Sequence, residues 1–137
     1  MPRLHMIGFF AVALLAGCGS DSTDINQPGG QNPPGNRVSI VVGAQSKGAA
    51  AFNPNPLTIT LADGGLAQWL NNDSARDDGY GGTIGGVAHD ITADDGSFDS
   101  DVLSPGNTFQ TTYAATGTYG YHCSIHPTMK GTVIVTP

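Results

Sequence analysis

From Arg37 onward, short runs of Val, Ile and Thr are interrupted again and again by Gly, Pro, Asn and Asp, and this punctuation limits the fold more than any other feature. Runs of this length suit strands joined by turns. Beyond the N-terminal segment no stretch repeats its apolar residues with helical period for three turns, so an all-β chain is expected. The strands read as Val38 to Gly43, a Pro-limited stretch from Phe52 to Thr60, Leu66 to Leu70, Val87 to Thr92 carrying His89, Thr108 to Tyr113, Thr118 to Cys123 and Gly131 to Thr136. Strands at this spacing argue for a sandwich or barrel, and about 100 residues bury a useful core without disulfides. Ser74 to Gly86 reads as a Gly-rich loop.

The first 36 residues have a different character. Arg3 followed by the apolar run Met6 to Ala16 reads as a secretory signal, too short to serve well as a permanent membrane span. It closes on Leu15-Ala16-Gly17-Cys18, which resembles the bacterial lipobox, and that resemblance implies cleavage before Cys18 and lipidation of its thiol. Ordinary cleavage leaving an unmodified Cys18 is the alternative. Residues 18–36 hold only one large apolar side chain, Ile25, and cannot bury enough surface to fold. The expected organisation is therefore a signal over 1–17, a lipidated cysteine and tether over 18–36, and one folded domain over 37–137. The localisation expected is the periplasmic or extracellular face of a membrane, held there by the lipid.

Net charge is −6, and all 11 acidic residues are Asp. That sign argues against nucleic acid, whose phosphates call for a basic face. Asp94, Asp95, Asp99 and Asp101 could instead attract a basic protein.

With Cys18 acylated, Cys123 is the only remaining cysteine of an exported domain, where thiols are ordinarily paired. Its neighbours suggest another fate. Cys123, His126 and Met129 stand three residues apart. A thiolate and imidazoles bind copper strongly and a thioether serves as a weak axial ligand, so this combination points to copper, with His89 on an earlier segment as the second imidazole. Each residue has an ordinary reading by itself: Met129 as core filler, His89 as a surface histidine, Cys123 as an inert buried thiol. Strand period two places Tyr119, Tyr121 and Cys123 on one face, with His122 facing outward. His126 precedes Pro127, which biases it toward an extended backbone.

The run Tyr121-His122-Cys123-Ser124-Ile125-His126-Pro127-Thr128-Met129-Lys130-Gly131 resembles the plastocyanin/azurin family of cupredoxins, most closely its amicyanin branch. Phe52-Asn53-Pro54, Trp69-Leu70-Asn71-Asn72, Phe98-Asp99-Ser100 and Leu103-Ser104-Pro105-Gly106 extend the likeness over nearly all of Arg37 to Pro137. The resemblance implies an eight-stranded Greek-key β-sandwich with one type 1 copper held by His89, Cys123, His126 and Met129. It also implies a one-electron carrier rather than an enzyme, meeting a redox partner such as a c-type cytochrome or a membrane oxidase or reductase. Asp90 and Tyr121 would lie just outside the ligands, Tyr121 on a second route to the metal. Two departures stand out: Asp90 where the family usually has Asn or Thr, and the extra stretch Ser74 to Val87, read as a tolerated insertion in preference to a partner-facing loop. Copper storage, delivery or resistance would use the same ligands. A multicopper enzyme would need more histidines than His89, His122 and His126, the three left after signal cleavage. Zinc in a Cys-His-His site is a weaker option.

Overall fold

The structure is a computed structural model that describes residues 35–137. The proposed signal, Cys18 and nearly all of the tether lie outside the described residues.

The punctuation does produce strands. β1 (Arg37–Ile40), β2 (Phe52–Asn53), β4 (Leu66–Asn71) and β8 (Thr108–Thr112) form one four-stranded sheet in the order β2-β1-β4-β8. β3 (Leu57–Thr60), β7 (Thr92–Ala93), β9 (Gly117–His122) and β10 (Lys130–Thr136) form a second in the order β3-β10-β9-β7. Side chains alternate along the longer strands. Val38 and Ile40 of β1, Ala67, Trp69 and Asn71 of β4, and Val133 and Val135 of β10 all point inward. This alternation is what a sheet covered on one face requires, and the architecture is the expected all-β sandwich.

β1 pairs with β4, and β3 with β10, in parallel; the remaining strand pairs are antiparallel. The chain therefore changes sheet repeatedly instead of zigzagging through one. Trp69 from the first sheet meets Tyr121 from the second edge-on, ring centroids 5.2 Å apart, and so joins the layers at the centre of the core. Phe52 packs on the other side of Tyr121 at 4.9 Å, also edge-on.

Three local readings need correction. The stretch Val87 to Thr92 is not one strand: His89 makes only an isolated bridge to Leu103, and regular pairing begins at Thr92. Two 3-10 turns, Ala44–Ser46 and Gly48–Ala51, fill a stretch in which no element was expected. The Gly-rich loop carries a small hairpin, β5 (Arg76–Asp77) with β6 (Thr83–Ile84), whose tip holds Tyr80 almost fully in solvent. Among the described residues no helix is long and apolar enough to cross a membrane.

Candidate metal centre

Four expected ligands come from two parts of the chain. Cys123 directly follows β9, and His126 and Met129 lie on the short loop before β10. The loop is closed by its own backbone: the Cys123 N–H donates to the Met129 carbonyl at 3.2 Å and the Met129 N–H to the His126 carbonyl at 2.9 Å. Cys123 and Met129 are both fully buried. Period two thus carried Cys123 inward with Tyr121, as expected.

His89 reaches the same place without a strand to carry it. Its segment is fixed by the two-way bridge to Leu103, with N–H···O distances of 3.1 and 2.7 Å. Asn71, at the end of β4 and wholly buried, holds both sides of that bridge: its Nδ2 donates to the Val87 carbonyl at 3.0 Å and to the Leu103 carbonyl at 2.8 Å. A buried amide must place its donors, and here satisfying them fixes the histidine's position.

Three donor atoms converge. The Nδ1 atoms of His89 and His126 lie 3.2 Å apart. The Cys123 Sγ lies 3.8 Å from His89 Nδ1 and 3.7 Å from His126 Nδ1. A metal bound at about 2.0 Å from nitrogen and 2.3 Å from sulfur separates two nitrogens by roughly 3.3–3.5 Å and nitrogen from sulfur by roughly 3.5–3.7 Å. The observed triangle has that size. Two imidazoles and one free thiol, with the buried thioether of Met129 on the same loop, also make up the soft, mixed donor set that copper selects. Of the converging three, His89 and Cys123 are buried and His126 is partly exposed.

Asp90 lies against the cysteine loop. Its backbone N–H approaches Cys123 Sγ at 3.5 Å, its Oδ1 accepts the Ser124 N–H at 2.6 Å, and its Oδ2 accepts the Ser124 hydroxyl. It thereby ties the His89 segment to the Cys123 loop. Burial works to raise the Asp90 carboxyl, but the Ser124 hydroxyl, the Cys123 thiol and the Ser124 and Ile125 amides outweigh it and hold the carboxyl below its ordinary value. Burial pushes the Cys123 thiol up. Tyr121 is a core residue packed between Phe52 and Trp69, two positions before Cys123.

His122 is not merely an outward residue. Its Nδ1 lies 2.7 Å from Asp94 Oδ1, a half-exposed pair that joins β9 to the turn after β7. Asp73 escaped sequence reasoning altogether. It is wholly buried, with Oδ2 2.8 Å from His89 Nε2. No local pattern marks it. The only prompt is the general need of a ligating histidine for a partner on its other nitrogen.

Comparison with known proteins agrees with this geometry. The sequence profile described as copper binding proteins, plastocyanin/azurin family, matches residues 38–136. A plastocyanin from Scenedesmus fuscus is 31% identical over 111 residues, covering 72% of this chain and 98% of that protein. Among solved structures, a novel purple cupredoxin from Nitrosopumilus maritimus is 27% identical with a TM-score of 0.57, covering 72% of this chain and 97% of that one. An oxidized mutant of amicyanin shares the fold at 17% identity and a TM-score of 0.50, over 72% of this chain and 79% of its own. The donor triangle, the sandwich that presents it and the match across almost the whole described domain lead to one conclusion: this chain belongs to the plastocyanin/azurin family of copper-binding proteins.

Proposed function

We propose that the domain is a one-electron carrier whose single type 1 copper would be held by His89, Cys123 and His126, with Met129 as a weak thioether ligand. The observation that carries this reading is the convergence of two imidazole nitrogens and one thiol sulfur within 4.8 Å of one another. Copper bound there supplies a one-electron couple. The residues around it supply rigidity: the loop is closed by its own backbone, Asp90 and Ser124 tie its two segments together, and Asn71 clamps the flanks of His89. A site that moves little between oxidation states exchanges electrons with little reorganisation. His126 alone of the converging three reaches the surface, so it gives a partner the shortest approach, and half-exposed Ile125 beside it offers an apolar resting place.

The partner we propose is a redox protein, such as a c-type cytochrome or a membrane oxidase or reductase, met outside the cytoplasm by a domain tethered through lipid on Cys18. Asp95, Asp99 and Asp101 are exposed and favour a partner with a basic face. Copper storage or delivery would use the same donors. Burial of His89, Cys123 and Met129 weighs against it, because an ion enclosed by buried side chains is slow to hand over.

Adding Cu(II) to the metal-free domain tests the reading. An intense visible thiolate-to-copper charge-transfer band, lost in Cys123→Ser, together with a reversible one-electron wave, is expected. A domain that takes up Cu(II) without that band, or releases it rapidly to a chelator, refutes the carrier.

A further inference from the structure

Asp73 is the one wholly buried carboxylate among the described residues, and every polar atom it has is engaged. Its Oδ1 accepts the Gly43 N–H at 2.7 Å, and its Oδ2 sits 2.8 Å from His89 Nε2. Its own N–H donates to Asn71 Oδ1 at 3.0 Å, and its carbonyl accepts the Gly86 N–H at 2.7 Å. The His89 ring is thus held from behind, through Nε2, while Nδ1 faces Cys123 and His126.

What covers the carboxylate is the foot of the β5–β6 hairpin. Gly85 has a left-handed backbone, φ 75°, and a Cβ there would lie 2.6 Å from Asp73 Oδ1, 2.5 Å from the Ser74 carbonyl and 3.0 Å from Val42 Cγ1. No side chain fits between the hairpin and the acid. The Asn71 bond to the Val87 carbonyl pins the segment's far end.

We propose that Asp73 is a positioning residue for the metal centre: it accepts the Nε2 proton of His89, fixes the tautomer whose Nδ1 lone pair faces the site, and biases the bound copper toward its more positive oxidation state. The Gly85–Gly86 foot of the hairpin keeps the pair dry, and this gives the inserted segment a function. This inference rests on the copper reading above. The hydrogen bond on one ring nitrogen decides which tautomer the other presents. A carboxylate behind a ligating imidazole raises its basicity. A fixed negative charge in a water-free pocket is little screened, so it favours Cu(II) over Cu(I) and lowers the potential.

Losing such an outer partner costs about 10–100-fold in metal affinity. Falling on Cu(II) more than Cu(I), that loss corresponds to a rise of roughly 60–120 mV, since tenfold is about 59 mV for a one-electron couple. The test is spectroelectrochemical titration of the copper-loaded wild type, Asp73→Asn and Gly85→Ala. Asp73→Asn should keep the charge-transfer band and raise the potential within that range. Gly85→Ala, which pushes the hairpin off the acid, should shift it the same way by less. An unchanged potential in Asp73→Asn with an intact band overturns the proposal and leaves the copper reading standing; an unchanged potential in Gly85→Ala overturns the role of the hairpin. If Asp73→Asn does not fold, or the wild type shows no such band, nitrogen-15 NMR of the metal-free wild type decides. A solvent-protected proton on His89 Nε2 supports the pairing, and a ring protonated on Nδ1 or exchanging freely at Nε2 overturns it.

Discussion

Gly131→Ala adds one methyl group at the centre of the sandwich, and the structure gives it nowhere to go. Gly131 lies directly opposite Tyr121 in the β9–β10 register, and the phenol ring covers it. A Cβ on residue 131 would stand 2.6 Å from Tyr121 Cε2 and closer still to the ring's Cζ and hydroxyl. Carbon atoms prefer about 3.5–4.0 Å, so the overlap is of the order of 1 Å. Tyr121 cannot swing away, because it is 1% exposed and packed edge-on between Phe52 and Trp69. Overpacking usually costs about 1–3 kcal/mol, and a ring with no free side belongs at the upper end. A loss of about 3 kcal/mol should lower Tm by more than about 10 °C in a domain of this size. Trp69, the sole tryptophan and fully buried, reports unfolding by its fluorescence, so urea titration of the metal-free protein measures the effect directly. A double-mutant cycle isolates the cause. Tyr121→Ala alone should cost roughly 3–5 kcal/mol. In that background Gly131→Ala should be neutral, or should gain the roughly 0.5–1 kcal/mol that glycine forfeits in a strand. A Gly131→Ala midpoint equal to that of wild type, or the same penalty in the Tyr121→Ala background, would refute the reasoning.

Four further outcomes follow. Asp90→Ala leaves the Ser124 N–H without its acceptor and unties the two ligand segments, so it should destabilise the metal-free domain by about 1–3 kcal/mol in the same urea assay; an unchanged midpoint would contradict this role. Burial raises Tyr113 from 10.0 to about 12 and raises Tyr121 as well, so stability should be complete below pH 10 and be lost as pH climbs through 12. Tyr113→Phe should recover part of that alkaline loss, at most about 3 kcal/mol, and an identical alkaline limb would count against it. Electron exchange with a basic c-type cytochrome should slow as ionic strength rises from about 0.01 to 0.15 M, over which the screening length falls from roughly 30 to 8 Å; a flat profile would exclude docking through the exposed aspartates. Cys18→Ser should abolish incorporation of labelled fatty acid during growth, and retained label would place the lipid elsewhere.

What could be read from the sequence was local. Cys123, His126 and Met129 stand three residues apart in one loop, so residue type and spacing were enough to group them. Inward placement of Cys123 followed from the period of β9, and the turns followed from glycine and proline. The surroundings of His89 were not legible, because they depend on Asn71 bonding to Val87 and Leu103, 16 and 32 residues further along the chain. That is also why a full strand was expected where only a bridge forms. Asp73 was hidden for the same reason: its bond to His89 crosses 16 residues and the whole glycine-rich hairpin, whose composition reads equally well as slack. Ala44 to Ala51 carries neither period, and its 3-10 turns are short enough to leave none.

The parallel pairing of β3 with β10 also makes the metal loop depend on a distant part of the chain. The Thr132 N–H bonds to Asn55 Oδ1 across 77 positions, and Thr136 Oγ1 bonds to the Ile59 carbonyl across the same span. A contact of that separation closes a long loop before it gains anything in return, and folds dominated by such contacts mature slowly. β10 is also the strand that anchors one end of the Cys123–Met129 loop, so the loop's shape depends on the docking of β10 against β3 and β9. The donors of the metal centre therefore depend on contacts that span most of the domain. Without β10 the chain would hold every expected ligand and still lack the strand that anchors their loop.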